Sequence, residues 1–304
     1  LETLQVAGAR IDLFGAGEAV VSEYDGEARM IQEADRAALE KHRLIFICDL
    51  DGDAGRFLAD PAPAAVTIDL TGAGFSNYGL PLAHDRLLPP PATGAGSAFS
   101  VPHSLSLLLA DILAPLHSGP GVAAASAVIL RPAADFGAGA VEELRQQTIH
   151  LLNFGSPPVE HLGRQLAFYL IPCEYLPDGG DQVADRMVAE LAALFGPAAG
   201  SCSVDLVAAP LFYGHGISLQ ITTAEPVEAE ELRRLLDEAD GLRASAEDAA
   251  CTPMEVNGRG GTSIAAIRSA CGEKNRMRLW AAADEAESAS AVQAIRLARA
   301  MGLF

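Results

Sequence analysis

The chain carries two kinds of apolar pattern in alternation. Short unbroken runs at residues 44–49 and 66–70, each ending at or beside an aspartate, read as parallel strands buried on both faces. Residues 123–130, 167–173 and 276–283 read as further strands, the last holding the only Trp. Runs rich in β-branched residues at 204–212 and 217–222 flank Tyr213-Gly214-His215-Gly216. Apolar residues at helical spacing predict helices over 103–116 (Leu107, Leu108, Ile112, Leu113), 139–153 (Val141, Leu144, Thr148, Leu151, Leu152) and 182–195 (Val183, Met187, Leu191, Leu194, Phe195). An acidic-basic stretch at 27–41 reads as helical, 227–239 as a charged surface helix, and alanine-rich 285–301 as a closing helix. Strands alternating with helices indicate α/β layering, and no internal repeat breaks that order. The proline-glycine segment 85–97 marks a passage from one subregion to another.

Length and charge narrow the picture. At 304 residues the chain has room for two cores. A net charge of −19, with no basic cluster to override it, argues against nucleic acid and anionic membrane as partners. No apolar run approaches the ~18 residues of a membrane span, and the first residues lack the basic start and apolar core of a secretory signal. The five cysteines (Cys48, Cys173, Cys202, Cys251, Cys271) form no C-x-x-C pair, so reduced thiols in a cytoplasmic protein are expected, with no metal centre.

A glycine on either side of His215 predicts backbone that turns tightly or approaches another group closely, with the histidine at a strand junction. By contrast, no strand, G-x-G-x-x-G turn and helix follow one another as a dinucleotide fold requires. Phe14-Gly15-Ala16-Gly17 lacks a strand before it, and the 258–261 run (Gly-Arg-Gly-Gly) precedes a strand instead of following one.

Several segments, in order and spacing, resemble the aspartate-semialdehyde dehydrogenase family: GAGAVEELRQQTIHLLN, RQLAFYLIP, PLFYGHGISLQI, CTPMEVNG and MRLWAAADEAESASAVQAI. The likeness is broad from residue 44 and strong from residue 139. It implies a Rossmann-like nucleotide-type domain over 1–100 and 285–304, and an α/β dimerisation domain over 101–284 of the glyceraldehyde-3-phosphate-dehydrogenase C-terminal type. It implies NADP as cofactor and a homodimer as the assembly. Against that family, the chain starts one β-α unit late, so the Gly-rich nucleotide loop would be either missing or upstream of the residues given.

The family nucleophile is a cysteine at a helix N-terminus, where the helix dipole favours the thiolate. The resemblance places His103 there, and a histidine forms no stable thioacyl intermediate. The family's orienting glutamine falls at Arg131, a cation that could meet a different anionic ligand. Its substrate-gripping cations fall at Phe75, Ala193 and Ala208. What survives is His215, matching the family's base, and Glu190, matching its substrate-contacting glutamate; unaided, Glu190 reads as a solvated helix face. Residues 284–290 carry acids where the family has neutral or basic groups. The resemblance thus implies a catalytically degenerate relative kept for binding or assembly. The alternative is an active NAD(P)-dependent aldehyde or semialdehyde oxidoreductase of altered mechanism in aspartate-family amino-acid biosynthesis, centred on His103, Arg131, Glu190 and His215, its small-molecule ligand not identified by the sequence.

Overall fold

The computed structural model describes residues 10–15, 19–24, 27–49, 54–90, 96–177, 180–196, 201–244, 251–258, 261–270, 272–284 and 290–303. Two compact units emerge, Leu1–His103 with Ser290–Phe304, and Ser104–Ala289.

In the first unit, β1 (Leu13–Gly15), β2 (Val20–Tyr24) and β3 (Glu27–Glu33) form a three-stranded sheet in the order β1-β3-β2. The helix expected over 27–41 is therefore mostly a strand. Its alternating residues pair with β2 from Glu27↔Tyr24 to Ile31↔Val20, and helix begins only after Asp35. Asp35 Oδ1 accepts from Ala38 N at 2.7 Å and caps the short α1 (Arg36–Leu39). The strand thought missing before Gly15 is also present, as β1.

A second sheet in this unit is parallel and follows the two buried runs: β4 (Leu44–Ile47), β5 (Val66–Asp69) and β6 (Ala98–Ser100), with α2 (Ala54–Ala59) and α3 (Ala73–Tyr78) between them. Val66, Ile68 and Phe99 pack against Ala294, Leu297 and Ala298, so the closing helix covers this sheet. The aspartate that ends β5 is fully buried: Asp69 accepts from Thr71 N (2.9 Å), Thr71 Oγ1 (2.6 Å), Gly74 N (2.8 Å) and Ser100 Oγ (2.8 Å).

The second unit runs α4 (Ser104–Ser118), β7 (Val122–Arg131), a 3-10 turn (Ala133–Phe136), α5 (Ala138–Leu152), β8 (Ile171–Pro172), a 3-10 turn (Cys173–Tyr175), α6 (Gly180–Phe195), β9 (Ser201–Ala208), β10 (His215–Thr223), α7 (Ala229–Asp237), β11 (Leu242–Ala244), α8 (Pro253–Val256), β12 (Thr262–Ala270) and β13 (Glu273–Ala283). The closing helix of the first unit, α9 (Ser290–Ala300), follows. The seven strands order as β11-β12-β13-β10-β7-β9-β8. Leu105, Leu108, Leu109, Ile112, Leu113 and Leu116 bury α4 almost all round, as an apolar helix in a core must be. On the central strands Ala127, Ile129, Ile217, Leu219 and Ile221 face the core. The opposite face is open: Ser126, Val128, Ser203, Asp205, Ser218 and Gln220 are exposed and sit side by side through the register Gln220↔Ser126↔Ser203 and Ser218↔Val128↔Asp205. The α/β layering expected from the pattern is the observed architecture.

Three expectations give way here. The strand expected over 167–173 shrinks to Ile171–Pro172, because Tyr169 N bonds back to Leu166 O (3.0 Å) in a turn and Pro172 has no N–H for the ladder. The strand expected over 204–212 stops at Ala208, and β7 separates β9 from β10. The buried stripe of α5 is Ala140, Glu143, Leu144 and Gln147, while Leu152, expected inside, is exposed. Two polar residues face inward because the segment they cover presents bare backbone groups. Glu143 accepts from His161 N (2.6 Å) and Leu162 N (3.0 Å). Gln147 Oε1 accepts from Leu166 N (2.7 Å) and Ala167 N (2.9 Å), and its Nε2 donates to Pro158 O (2.8 Å) and Arg164 O (3.0 Å). Buried amides and carbonyls need such partners, and the clamp supplies them.

Among the described residues no helix is long and apolar enough to cross a membrane.

Candidate functional site

His215 is the first residue of β10, at the strand junction the flanking glycines suggested. Both glycines have a definite physical reason. Gly214 has φ +78°, and a Cβ there would meet Pro253 O at 3.0 Å. A Cβ on Gly216 would meet the Trp280 ring at 2.8 Å. The turn before His215 is thus pressed on the start of α8, and the residue after it lies under the indole. Trp280 Nε1 donates to Cys251 O at 2.6 Å, which fixes the ring in that place.

The imidazole is buried, with 3% of its surface exposed. Its Nε2 meets Asp135 Oδ1 at 3.0 Å and Oδ2 at 3.1 Å. A carboxylate can only accept, so Nε2 carries the proton and donates it. Nδ1 is buried with no hydrogen-bond partner among the described residues. Asp135 also accepts from Arg131 Nε at 2.8 Å, and the Arg131 guanidinium lies 4.4 Å above the Phe136 ring. Arg131 Nη1 points at Cys173 Sγ, 3.9 Å away. The end of β7, the 3-10 turn after it and the start of β10 therefore converge on one buried chain of contacts, Cys173–Arg131–Asp135–His215. In it the Arg131 cation and the Asp135 carboxylate face each other.

Of the four residues singled out from the sequence, the structure joins two, His215 and Arg131, through Asp135. Arg131, read as a cation that could meet an anionic ligand, is engaged from within by Asp135 and Phe136. Glu190, which alone read as a solvated helix face, is fully buried on α6 and accepts from Arg186 Nε at 2.7 Å, one turn earlier. His103 is the residue immediately before α4 and belongs to the other compact unit. Of the positions where cations were implied, Ala208 is buried at the end of β9 and Ala193 is exposed on α6. Most of the acidic stretch 284–290 lies outside the described residues.

Asp135 is the residue that sequence reasoning missed. The available signal was an acid four places after Arg131, immediately before a glycine-bounded turn. Reading that signal required knowing that β7 ends at Arg131 and that a 3-10 turn folds Asp135 back beside it.

Among the described residues the cysteines form no disulfide. Burial pushes the Cys202 and Cys251 thiols up from their ordinary pKa, away from the thiolate that a nucleophile requires. Among the described residues no group of His, Cys, Asp and Glu is placed to hold a metal ion.

The chain resembles known proteins along most of its length. It is 27% identical to the USG-1 protein homolog of Pseudomonas aeruginosa over 65% of this chain and 60% of that protein, so the match spans less than two thirds of the relative. It is 24% identical to aspartate-semialdehyde dehydrogenase 2 of Vibrio cholerae, over 80% of this chain and 75% of that enzyme. The fold superposes on the structure of a probable aspartate-semialdehyde dehydrogenase from Pseudomonas aeruginosa with a TM-score of 0.84, at 23% identity, covering 99% of this chain and 93% of that one. The family model described as semialdehyde dehydrogenase, dimerisation domain, matches residues 113–286, more than half of the sequence and nearly all of the second compact unit. By that match the chain belongs to the semialdehyde dehydrogenase dimerisation-domain family.

Proposed function

We propose that this protein is a catalytically degenerate relative of aspartate-semialdehyde dehydrogenase, kept for binding or for homodimeric assembly. The observation that carries the reading is the closure of the His215 network. An acid-base histidine facing a nucleophile and an anionic substrate needs a thiol and unspent positive charge. Here the Nε2–H of His215 is held by Asp135, and Asp135 in turn holds Arg131. Glu190, the other position matched to the family site, is paired with Arg186 in the same way. The family resemblance puts His103 in the nucleophile's position, and an imidazole there cannot form the thioester on which the family reaction depends. Losing a nucleophile typically costs about 10⁶-fold in rate.

NADP is implied by the resemblance, and the described residues do not supply a fit for it. Among the described residues at the carboxyl end of the parallel strands, the turn at Gly74 is packed tightly, since a Cβ there would run into the Asp69 and Ser100 side chains. What stands there is a fixed carboxylate, which offers a phosphate no positive charge.

Homodimeric assembly is supported by the matched dimerisation-domain family and by the open sheet face. Arg276 and Arg278 are exposed on β13, and in their registers Arg278 pairs with Gln220 and Arg276 with Thr222. Asp205 is exposed on β9 across the sheet from them. A two-fold partner would bring unlike charges together across the face. A cytoplasmic setting fits the unpaired cysteines and the biosynthetic relatives, and the acidic net charge disfavours nucleic acid and anionic lipid.

A second reading, an active oxidoreductase of altered mechanism, is favoured by one observation: the bare, buried Nδ1 of His215, a basic nitrogen still open to a ligand's donor. One assay separates the two readings. Full-length protein is mixed with aspartate semialdehyde, phosphate and NADP, and NADPH is followed by absorbance. Degeneracy predicts no rate above background. A rate that vanishes in His215→Asn establishes the second reading and ends the first.

A further inference from the structure

In the first unit, residues 81–83 run beside β6: Ala83 N donates to Ser100 O and Ser100 N to Pro81 O, each at 2.9 Å. The chain then folds back in a tight turn, with His84 N donating to Leu88 O at 2.7 Å and Leu88 N to His84 O at 3.1 Å. His84 is 1% exposed, and inside the turn its side chain takes the part that asparagine or aspartate usually plays. Its Nδ1 accepts from Arg86 N at 3.2 Å and from Leu87 N at 3.3 Å. A ring nitrogen that accepts from backbone N–H groups carries no proton, so the neutral imidazole closes the turn.

The next residue ties the turn to α9. Asp85 Oδ1 accepts from Gln293 Nε2 at 3.1 Å. That helix covers the parallel sheet with Ala294, Leu297 and Ala298, and Ala83 belongs to the same core. The same Asp85 Oδ1 lies 3.3 Å from His84 Nδ1. While Nδ1 is unprotonated both atoms are acceptors, and no hydrogen bond joins them. A proton on Nδ1 reverses this. Arg86 N and Leu87 N lose their acceptor, and the imidazolium competes with Gln293 for the carboxylate. The charged groups that bear on the ring are Asp85 and Arg86 in its own turn and Arg296 on α9. Burial, opposed by Asp85 and helped by the two arginines, lowers the His84 pKa to about 4.

We propose that the His84 turn is a proton-operated latch on α9, closed by the neutral ring and opened when Nδ1 takes a proton. The latch lies wholly within the first unit and stands apart from the assembly and His215 readings above. Its sign follows from where the proton binds. The opened or unfolded turn offers an ordinary imidazole, with a pKa of about 6.5, and takes up a proton more readily than the closed one. The latch is therefore fully closed above about pH 6.5 and weakens as the pH falls from there toward 4. The turn and α9 open first, because they meet through these side chains, whereas β4 and β5 are joined by a backbone ladder that no side-chain proton reaches.

Hydrogen exchange read by mass spectrometry on the full chain tests the latch, at about pH 7.5 and about pH 5, with rates corrected for the intrinsic pH dependence of exchange. In the parent, peptides from 81–90 and 290–303 should lose protection by about 30-fold on acidification, well beyond peptides from β4 and β5. His84→Asn places an amide oxygen where Nδ1 stands, an acceptor that takes no proton. In that variant the turn should stay closed and the extra acid loss should vanish. An equal loss in parent and variant, or a parent loss spread evenly over the first unit, overturns the latch. Should His84→Asn not fold, ring-nitrogen NMR of the parent decides. An unprotonated Nδ1 with a titration midpoint below about pH 5 is expected, and a midpoint near the ordinary 6.5 overturns the proposal.

Discussion

The turn at His215 and the segment after α5 set the same demand on the backbone and meet it in opposite ways. At the turn, Gly214 and Gly216 sit where a side chain would strike Pro253 or Trp280, and the polar groups around them close on one another. On the segment after α5, Phe154 and Phe168 stand in left-handed positions suited to glycine and hold their rings in solvent. The first region has resolved its local conflicts by folding inward, the second has left them open. The contrast is between a polar cluster whose groups meet one another and exposed apolar rings whose backbone is strained.

The comparison can be broken most easily at its supports. Gln147→Leu keeps the size of the clamp but strips two backbone donors and two acceptors of their partners. With unsatisfied buried groups costing about 1–3 kcal/mol each and some regaining water, a loss of about 4 kcal/mol is expected in denaturant unfolding. A loss under ~1 kcal/mol would mean the segment after α5 is not held as described. Asp135→Ala removes the carboxylate that accepts from Arg131 Nε, and about 3 kcal/mol should be lost. Arg131→Met in the same protein should recover much of that loss, which a merely crowded site would not show. Gly216→Ala pushes a methyl into the Trp280 ring and should lower stability by about 2 kcal/mol, read by thermal melting with Trp fluorescence. A neutral result there would remove the claim that the His215 turn is packed to its limit.

How much of this was legible beforehand depended on whether local pattern or distant pairing decided the outcome. The runs at 44–49 and 66–70 became the parallel pair β4 and β5 because continuous apolarity has few other uses at that length. The glycines around His215 announced a close approach, although not that Pro253 and Trp280 were the groups approached. Residues 27–41 misled because their charges suit a helix surface, while pairing with β2, invisible in the local spacing, decided for strand. Helix α5 misled for a related reason: its inward face is polar at Glu143 and Gln147, serving backbone groups of residues 158–167 that no periodicity reveals. Asp135 escaped notice because its importance arises only when β10 brings His215 to it across 80 residues of chain. The placement of His103 and Glu190 came from resemblance; for Glu190 its bond to half-buried Arg186 adds a physical reason.

The account stands on the absence of a working sulfur nucleophile, and intact-mass spectrometry addresses that directly. Full-length protein would be incubated with aspartate semialdehyde and NADP without phosphate, so that any thioester formed is not released by phosphorolysis. An unchanged mass is the expected result. A hydroxylamine-labile aspartyl adduct mapping to a cysteine, Cys173 beside Arg131 above all, would contradict it.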